Sequence, residues 1–318
     1  MKRIIAAVMT ALLLLAALTA QAAEHSTTDT SGIAGVPSHY HLYDRAVFDE
    51  PDEHPGQVVK IKYKNDLYDK AYTNYISVYL PWGYDENGTG RYPVIYFLHG
   101  NGGDSSTLLG NPQTVSAFDH MISSGLVQPF ILVAPSYYYD QRHKLADLEI
   151  FVRELREELM PMIEGRYRTY AETPDEAGFR ASRDYRAICG FSRGSFTTWY
   201  LFDKMLDVSR TFLPFSGAID LMGNGGGTLD GIRKAIDDTG LPYFIYMACG
   251  GEEDLAFEGC RALAQELAKD EAYFSYGTDV EKDHFYYVQS DNIHQDLTSR
   301  YYLFNAFMDG VLWPAALD

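Results

Sequence analysis

The sequence from residue 186 to residue 194 reads Arg-Ala-Ile-Cys-Gly-Phe-Ser-Arg-Gly. A short apolar run leads here into a Gly-x-Ser-x-Gly pentapeptide, and a segment with helical periodicity follows from Ser195 to Lys204. This order is typical of a nucleophile elbow, in which the serine occupies a strained strand-to-helix turn and exposes its hydroxyl. Glycines two residues before and after the serine let the strand and the helix approach closely. The stretch predicts that Ser192 is an acylating nucleophile.

The pentapeptide is a weak signal by itself, because a chain with 27 glycines produces such matches by chance. The same residues would also suit an ordinary turn between a core strand and a helix, with Ser192 as the N-cap. The rest of the chain therefore has to support the hypothesis of a nucleophile.

Apolar runs alternate with longer amphipathic segments along the chain. Runs such as 94–98 are apolar without alternation, which indicates strands buried on both faces of a parallel sheet. Two leading strands followed by strand–helix units favour an α/β fold, a mostly parallel eight-stranded sheet with helices on both faces. The predicted strands are Gln57–Tyr63, Tyr75–Leu80, Val94–Leu98, Phe130–Ala134, Arg186–Cys189, Phe212–Phe215, Tyr243–Ala248 and Phe285–Val288. The predicted helices are Thr114–Ser124, Leu148–Tyr167, Ser195–Lys204, Leu229–Asp238, Glu258–Lys269 and Gln295–Val311.

The N-terminus has the features of a secretory signal peptide. Lys2 and Arg3 precede an apolar run at 4–18, and cleavage is expected after Ala22 or Ala23, with a retained membrane anchor as the alternative. The remaining length suits one large α/β domain. The expected divisions are a signal peptide at 1–23, a flexible lead-in at 24–55 and a catalytic domain at 56–318.

Composition narrows the set of expected partners. The net charge of −18 would repel phosphates, so neither nucleic acid nor a stable association with a membrane is expected. Cys189 and Cys249 lie in apolar runs and are expected in the core, while a bridge between Cys249 and Cys260 stays open. No cysteine or histidine spacing resembles a zinc site, and neither a metal nor a cofactor is expected.

A serine nucleophile needs a base that takes its proton and an acid that orients the base. In this class of fold both follow the serine along the chain, and the only histidines that do so are His284 and His294. We predict His294, because it lies between the last strand and the last helix, where a base can reach over the nucleophile. His284 begins a strand, where a side chain is more often held by packing.

The acid is expected just past the end of a strand. The strand predicted at Tyr243–Ala248 leads into a loop with Glu252, Glu253 and Asp254. We predict Asp254, with Glu253 as the next candidate and Asp220 as a more distant one. These acids would equally suit the N-terminal dipole of the following helix.

The tetrahedral intermediate of acyl transfer needs N–H donors for its oxyanion. One donor is predicted at Arg193, directly after the nucleophile. The other is predicted in the glycine-rich loop 99–103, at Asn101 or, next in preference, Gly102. His99 belongs to the same loop, precedes the serine, and is expected to be structural.

Three stretches together resemble the esterase D-like α/β-hydrolases: residues 92–100, 189–194, and 248–250 leading to Asp254. Within this group the chain is most similar to carbohydrate esterase family 1, the feruloyl and acetylxylan esterases, whose second-strand pattern residues 78–84 also match. The resemblance covers residues 56 to 312. It implies an α/β-hydrolase fold, a triad of Ser192, Asp254 and His294, and cofactor-free hydrolysis of feruloyl or acetyl esters on plant xylan by a secreted enzyme.

Two positions depart from the family pattern. After the elbow serine the family often has Met-Gly-Gly, whereas this chain has Arg193-Gly194-Ser195. Before the catalytic histidine the family commonly has glycine, whereas this chain has Ile293. Tyr137 and Tyr138 follow the fourth strand and could stack on a sugar or ferulate ring, although packing at the rim is equally consistent. The expected partner is an acylated polysaccharide. The alternatives are a general carboxylesterase, a siderophore-type esterase, an acyltransferase, and a carbohydrate-binding relative without turnover.

Overall fold

The fold is built on one eight-stranded sheet. The computed structural model describes residues 39–65, 67, 72–136, 147–219 and 227–314. The order across the sheet is β1-β2-β4-β3-β5-β6-β7-β8; β1 and β2 run antiparallel to their neighbours, and the remaining strands are parallel. The predicted α/β fold and all eight predicted strands are confirmed, with small shifts at the ends. The strands are β1 (Gln57–Asn65), β2 (Tyr72–Leu80), β3 (Val94–Leu98), β4 (Ile131–Pro135), β5 (Arg186–Phe191), β6 (Thr211–Phe215), β7 (Phe244–Gly250) and β8 (Phe285–Ser290).

Helices cover both faces of the sheet. Side chains alternate along each strand, so that Val94 and Tyr96 of β3 join one apolar cluster while Ile95 and Phe97 join the other. The helices are α1 (Arg45–Phe48), α2 (Pro112–Ser123), α3 (Asp147–Arg153), α4 (Met160–Arg166), α5 (Glu176–Ala181), α6 (Arg193–Met205), α7 (Leu229–Thr239), α8 (Phe257–Leu267) and α9 (Ser299–Met308). Helices α2 and α9 pack on one face, and α3, α4, α6, α7 and α8 on the other. Within the described ranges, none of these helices has the length and apolar character to cross a membrane.

The helix predicted at Leu148–Tyr167 is interrupted between α3 and α4 by a π-helical turn, Glu154–Leu159. Pro161 lies in the first turn of α4, and a proline has no amide hydrogen and crowds the carbonyl one turn earlier. The chain responds by widening the turn, and the Met160 N–H donates to Leu155, five residues back. Periodicity alone predicts a single helix because both halves present the same apolar face.

Residues 39–55, the described part of the segment predicted as a flexible lead-in at 24–55, pack on the sheet and its helices. Tyr40 is buried, and the His41 N–H donates to Asn305 in α9 at 2.6 Å. The His41 imidazole also bonds Asp309 (2.8 Å), and Arg300 reaches Asp49 (3.2 Å). These partners lie at the far end of the chain, and the composition of the segment gives no sign of them.

All three cysteines are free and buried. The expectation that Cys189 and Cys249 lie in the core is confirmed, and Cys249 and Cys260 do not form a bridge. Burial raises the pKa of the Cys189 thiol well above its usual value, which keeps it protonated and unreactive.

Candidate active site

A strained turn carries Ser192 between β5 and α6. Its backbone has φ 52° and ψ −112°, a conformation that residues with a side chain rarely adopt. The Ser192 N–H donates to Phe215 at the end of β6 (2.8 Å), which holds the turn against the neighbouring strand. A Cβ on Gly190 would overlap the Gly194 carbonyl, and a Cβ on Gly194 would overlap the Leu98 carbonyl. Both glycines are therefore needed for the close approach that the sequence predicts.

His294 lies within hydrogen-bond distance of Ser192. It occupies the loop between β8 and a 3-10 turn, Asp296–Thr298, and its Nε2 is 2.9 Å from Ser192 Oγ. The imidazole also contacts the ring of Phe191, with centroids 4.7 Å apart. The geometry is that of a nucleophile and its general base. His284, the other candidate, lies at the opposite end of β8, where it bonds Ser275 (2.9 Å).

Glu253, and not the predicted Asp254, contacts the second nitrogen of the imidazole. Glu253 Oε2 is 2.7 Å from His294 Nδ1, whereas Asp254 is exposed to solvent. The prediction of Asp254 is therefore corrected. Strand β7 continues to Gly250, two residues beyond the predicted end, and the following turn directs the third residue after the strand into the site. The carboxylate that faces inward is that of Glu253, one position before the predicted residue.

The Glu253 carboxylate is buried and fully hydrogen-bonded. Its Oε1 accepts from Ser216 Oγ (2.6 Å), from the Gly250 N–H (2.9 Å) and from Tyr302 Oη (3.0 Å). Burial by itself raises the pKa of this carboxyl, but the hydrogen bonds from His294, Ser216 and Gly250 outweigh that effect and hold the pKa below its usual value. Glu253 is therefore ionised at neutral pH and can stabilise a protonated His294.

Two residues that support Glu253 were not predicted from the sequence. Ser216 follows β6 with a positive φ of 52°, and its N–H donates to Ala248 in β7 (2.8 Å). This strained conformation aims its hydroxyl at Glu253. Tyr302 is buried within α9. A serine directly after a buried strand is a signal that could have been used, whereas a tyrosine in an apolar helix offers none.

Asp296 joins the loop of the base to the glycine-rich loop after β3. Its Oδ1 accepts from the Gly100 N–H at 2.6 Å, and a Cβ on Gly100 would lie only 3.0 Å from either carboxylate oxygen. Burial raises the pKa of Asp296, although the hydrogen bond from Gly100 opposes that shift. The contact fixes the backbone immediately before Asn101, which is exposed.

The glycine-rich loop lies beside the elbow. A Cβ on Gly194 would be 3.0 Å from the His99 carbonyl oxygen, so the loop packs on the first turn of α6, where Arg193 begins. His99 itself is buried, with its Nδ1 2.8 Å from the Gly100 oxygen. The neighbourhood suits Asn101 and Arg193 as oxyanion donors, and that role stays a prediction.

Exposed apolar side chains flank the acid and the base. Leu255, two residues after Glu253, is 68% exposed, and Ile293, immediately before His294, is 48% exposed. Such a pair beside a polar site is suited to contact with an apolar part of a ligand. Tyr137, Tyr138 and Asp220 lie outside the described residues. Over the described ranges, no group of three or more His, Cys, Asp or Glu side chains could hold a metal ion.

The chain is similar in sequence to known esterases. The family model "Esterase" matches residues 73–222. Endo-1,4-beta-xylanase Y of Acetivibrio thermocellus is 30% identical over 272 residues, which cover 82% of this chain and 24% of that protein. An endo-1,4-beta-xylanase/feruloyl esterase of Xylanibacter ruminicola is 26% identical over 212 residues, or 64% of this chain and 26% of that protein. The chain thus spans about a quarter of the length of each of these relatives.

Solved structures show the same architecture. A feruloyl esterase module of Clostridium thermocellum, complexed with sinapinate, is 28% identical and superposes with a TM-score of 0.73 over 86% of this chain and 94% of that chain. A CE1 ferulic acid esterase of Anaeromyces mucronatus, 21% identical, has a TM-score of 0.60 over 83% of this chain and 94% of that chain, a likeness of fold alone.

Proposed function

We propose that the chain hydrolyses ester-linked feruloyl or acetyl groups on plant xylan. It belongs to the esterase D-like α/β-hydrolases, alongside the feruloyl esterases of carbohydrate esterase family 1. The observation that carries the proposal is the continuous contact from Glu253 through His294 to Ser192, with distances of 2.7 and 2.9 Å. The acid is a glutamate in place of the aspartate expected from the family resemblance.

In the acylation step, Ser192 Oγ attacks the ester carbonyl while His294 Nε2 accepts the hydroxyl proton. The tetrahedral intermediate collapses when the protonated imidazole donates that proton to the sugar oxygen, and the ester C–O bond breaks. Glu253 stays ionised and stabilises the imidazolium. A water molecule, deprotonated by His294, then attacks the acyl-enzyme. The bond between Ser192 Oγ and the acyl carbon breaks, Ser192 Oγ takes the proton back from His294, and the carboxylic acid is released.

The oxyanion of each tetrahedral intermediate is proposed to accept hydrogen bonds from the backbone N–H groups of Arg193 and Asn101. The Gly100 N–H cannot serve in this way, because it is already bonded to Asp296. Asp296 acts instead as a positioning residue that holds the loop at the distance a second donor requires.

Two exposed apolar side chains and the known relatives support the proposed substrate. Leu255 and Ile293, which lie within two residues of Glu253 and His294 in the sequence, are exposed apolar side chains suited to contact an aromatic acyl group such as ferulate. One relative is named a xylanase/feruloyl esterase and another was solved with sinapinate, which supports a hydroxycinnamoyl ester on a polysaccharide. Tyr137 and Tyr138 are proposed to contact the ring or the sugar. The protein is proposed to be exported, with its N-terminal segment removed, and to need no cofactor.

The experiment is to incubate the protein with feruloylated and with acetylated xylo-oligosaccharides and to identify the acid released. We expect ferulate, acetate or both from the wild type, and no release above background from Ser192→Ala at unchanged thermal stability. Equal rates for the two proteins would contradict the assignment of Ser192. If neither acid appears while 4-nitrophenyl acetate is cleaved, the protein is an esterase of other substrates and the xylan assignment is wrong.

A further inference from the structure

A cavity of about 410 Å³ lies at the end of the sheet opposite Ser192. Strand β2 runs antiparallel to β4, so its last residue, Leu80, lies at the edge where the parallel strands begin. Ser192 follows the carboxyl end of β5, at the other edge. The cavity is therefore separate from the proposed active site. The lining residues that matter here are His54, Tyr79, Trp82, Asp119 and Ser123.

Trp82 presents its indole to this cavity and to solvent. It is 58% exposed, a large fraction for a side chain whose burial is strongly favourable. It occupies a tight turn in which the Tyr84 N–H donates to Pro81 (3.1 Å) and Gly83 has a positive φ of 74°. The imidazole of His54 meets the indole edge-on, with ring centroids 4.4 Å apart. The indole is thus held in place by its neighbours and still exposes a face.

Asp119 lies at the floor of the cavity, and its Oδ2 is available to accept a hydrogen bond. It is 4% exposed, and its Oδ1 accepts from the Gly56 N–H (2.9 Å) and from Tyr79 Oη (2.7 Å). Both bonds end on the same oxygen, so no donor from the described part of the chain occupies Oδ2. A buried carboxylate oxygen that lines a cavity without a protein donor is suited to accept a hydrogen bond from a ligand.

Hydrogen bonds to Asp52 from residues that line the cavity hold it in shape without a ligand. Asp52 accepts from Ser123 Oγ (2.6 Å) and from the His54 N–H (2.7 Å), and its Oδ2 lies 2.9 Å from His120 Nδ1. These bonds fasten the segment that carries His54 to α2, which carries Asp119. A site that needs no rearrangement loses little free energy to ordering when it binds.

We propose that this cavity is a carbohydrate-binding site, in which an uncharged sugar ring stacks on Trp82 and donates a hydroxyl hydrogen bond to Asp119. A pyranose has an apolar C–H face and a rim of hydroxyl donors, and the cavity offers an aromatic face and a free acceptor. The lining contains neither lysine nor arginine, and the net charge of −18 also disfavours an anionic ligand.

The site would retain the enzyme on its polymer. A second point of attachment raises the local concentration of substrate at the catalytic centre without changing the chemical step. The naming of xylan as the polymer rests on the proposed function, whereas the binding of a neutral sugar rests on the cavity alone. The two can therefore fail separately.

The test measures binding of unsubstituted xylohexaose to the full chain carrying Ser192→Ala, by titration calorimetry. Adding Trp82→Ala is expected to weaken the affinity about tenfold or more, because the stacking surface is lost. Adding Asp119→Asn, which replaces the free acceptor with a donor, is expected to weaken it as well. Adding Tyr185→Ala, which truncates an exposed aromatic away from the cavity, is the matched control and should leave the affinity unchanged.

Turnover of methyl ferulate by the otherwise wild-type Trp82→Ala protein should equal that of the wild type, because this small ester does not reach the cavity. Unchanged xylohexaose affinity in both Trp82→Ala and Asp119→Asn would overturn the inference. It would also be overturned if a quaternary amine such as choline bound at this site while xylohexaose did not, since the aromatic and the carboxylate would then serve a cation. Absence of methyl ferulate turnover in the wild type would instead count against the proposed function.

Discussion

The choice between Glu253 and Asp254 shows what a single residue contributes to this site. Both carboxylates stand in the same short loop, and a sequence pattern distinguishes them only through the assumed end of the strand. Because β7 extends to Gly250, the turn buries Glu253 against His294 and leaves Asp254 in solvent. The contact between Ser192 and His294 could be predicted, because each residue has few competitors in the required chain order. The acid could not, because three adjacent carboxylates compete.

Replacing Glu253 by glutamine is expected to lower kcat for methyl ferulate by about 10³-fold or more, because the imidazolium loses its counter-charge and its preferred tautomer. Asp254→Asn is the matched control, because it removes a negative charge from the next residue in the chain, which is exposed. It should leave kcat within about twofold of wild type, as expected for a surface substitution. A larger loss in Asp254→Asn than in Glu253→Gln would restore the original assignment.

Glu253 also links stability to pH. Because its folded-state pKa lies below the ordinary value of 4.5, its ionised form stabilises the folded protein above that pH, and the contribution is lost as pH falls through the folded pKa. The free energy of unfolding should therefore be lower in Glu253→Gln than in wild type at pH 7, and the gap should narrow on acidification below about pH 4.5. Urea unfolding at both pH values measures this. A gap that widens on acidification would mean that the sign of the pKa shift is wrong.

Asp296 tests whether the glycine-rich loop must be held for catalysis. Asp296→Ala removes the acceptor of the Gly100 N–H and is expected to lower kcat about tenfold or more with a smaller change in KM, because the loss falls on transition-state stabilisation. Asp296→Asn keeps an acceptor oxygen and should recover most of the activity. Equal losses in both variants would show that the charge of Asp296, rather than its hydrogen bond, is what matters.

At the scale of elements, burial on both faces made the central strands predictable. The runs of β3, β4 and β7 are apolar throughout, β5 is apolar after Arg186, and each of these strands is buried along its whole length. What the sequence did not reveal are short or irregular pieces, such as α1, α5 and the π-helical turn. Helices α1 and α5 have four and six residues, too few positions to show a helical period. The π-helical turn arises because Pro161 has no amide hydrogen and crowds the preceding turn.

A buried ion pair anchors β5, the strand that delivers the nucleophile. Arg186 donates to both oxygens of Glu164 in α4 at 2.8 and 2.6 Å, and the two side chains are 1% and 0% exposed. Tyr96 and Thr169 donate to the same carboxylate. The start of the strand is thereby tied to the helix layer, which leaves the elbow at its other end with little freedom to move.

Breaking this pair should be costly. Glu164→Gln is expected to lower the free energy of unfolding by about 3–5 kcal/mol, because the guanidinium is left buried without its counter-charge. The control is Glu157→Gln, which breaks the exposed pair with Arg153 (3.3 Å) and should cost no more than about 0.5 kcal/mol. Urea unfolding compares the two variants, and similar losses would show that burial of the first pair carries no special weight.

At the scale of the whole molecule, contacts between the ends of the chain complete the domain. Tyr40 Oη accepts from the Asn292 side chain. His41 bonds Asn305 and Asp309, and all three partners are more than 240 residues away in sequence. Periodicity and local motifs carry no information about such pairs, so the packing of residues 39–55 cannot be predicted from them. The same architecture puts the triad at one end of the sheet and the cavity beside Trp82 at the other, so that chemistry and polymer retention are proposed for separate ends.

The proposed mechanism requires that Ser192 is an activated nucleophile. The most direct measurement is covalent labelling with a fluorophosphonate, followed by mass spectrometry of the intact chain and of its peptides. We expect a single adduct, located on the peptide that carries Ser192, much slower to form in His294→Ala and absent from Ser192→Ala. An adduct on another residue, or one that forms equally fast in Ser192→Ala, would contradict the account.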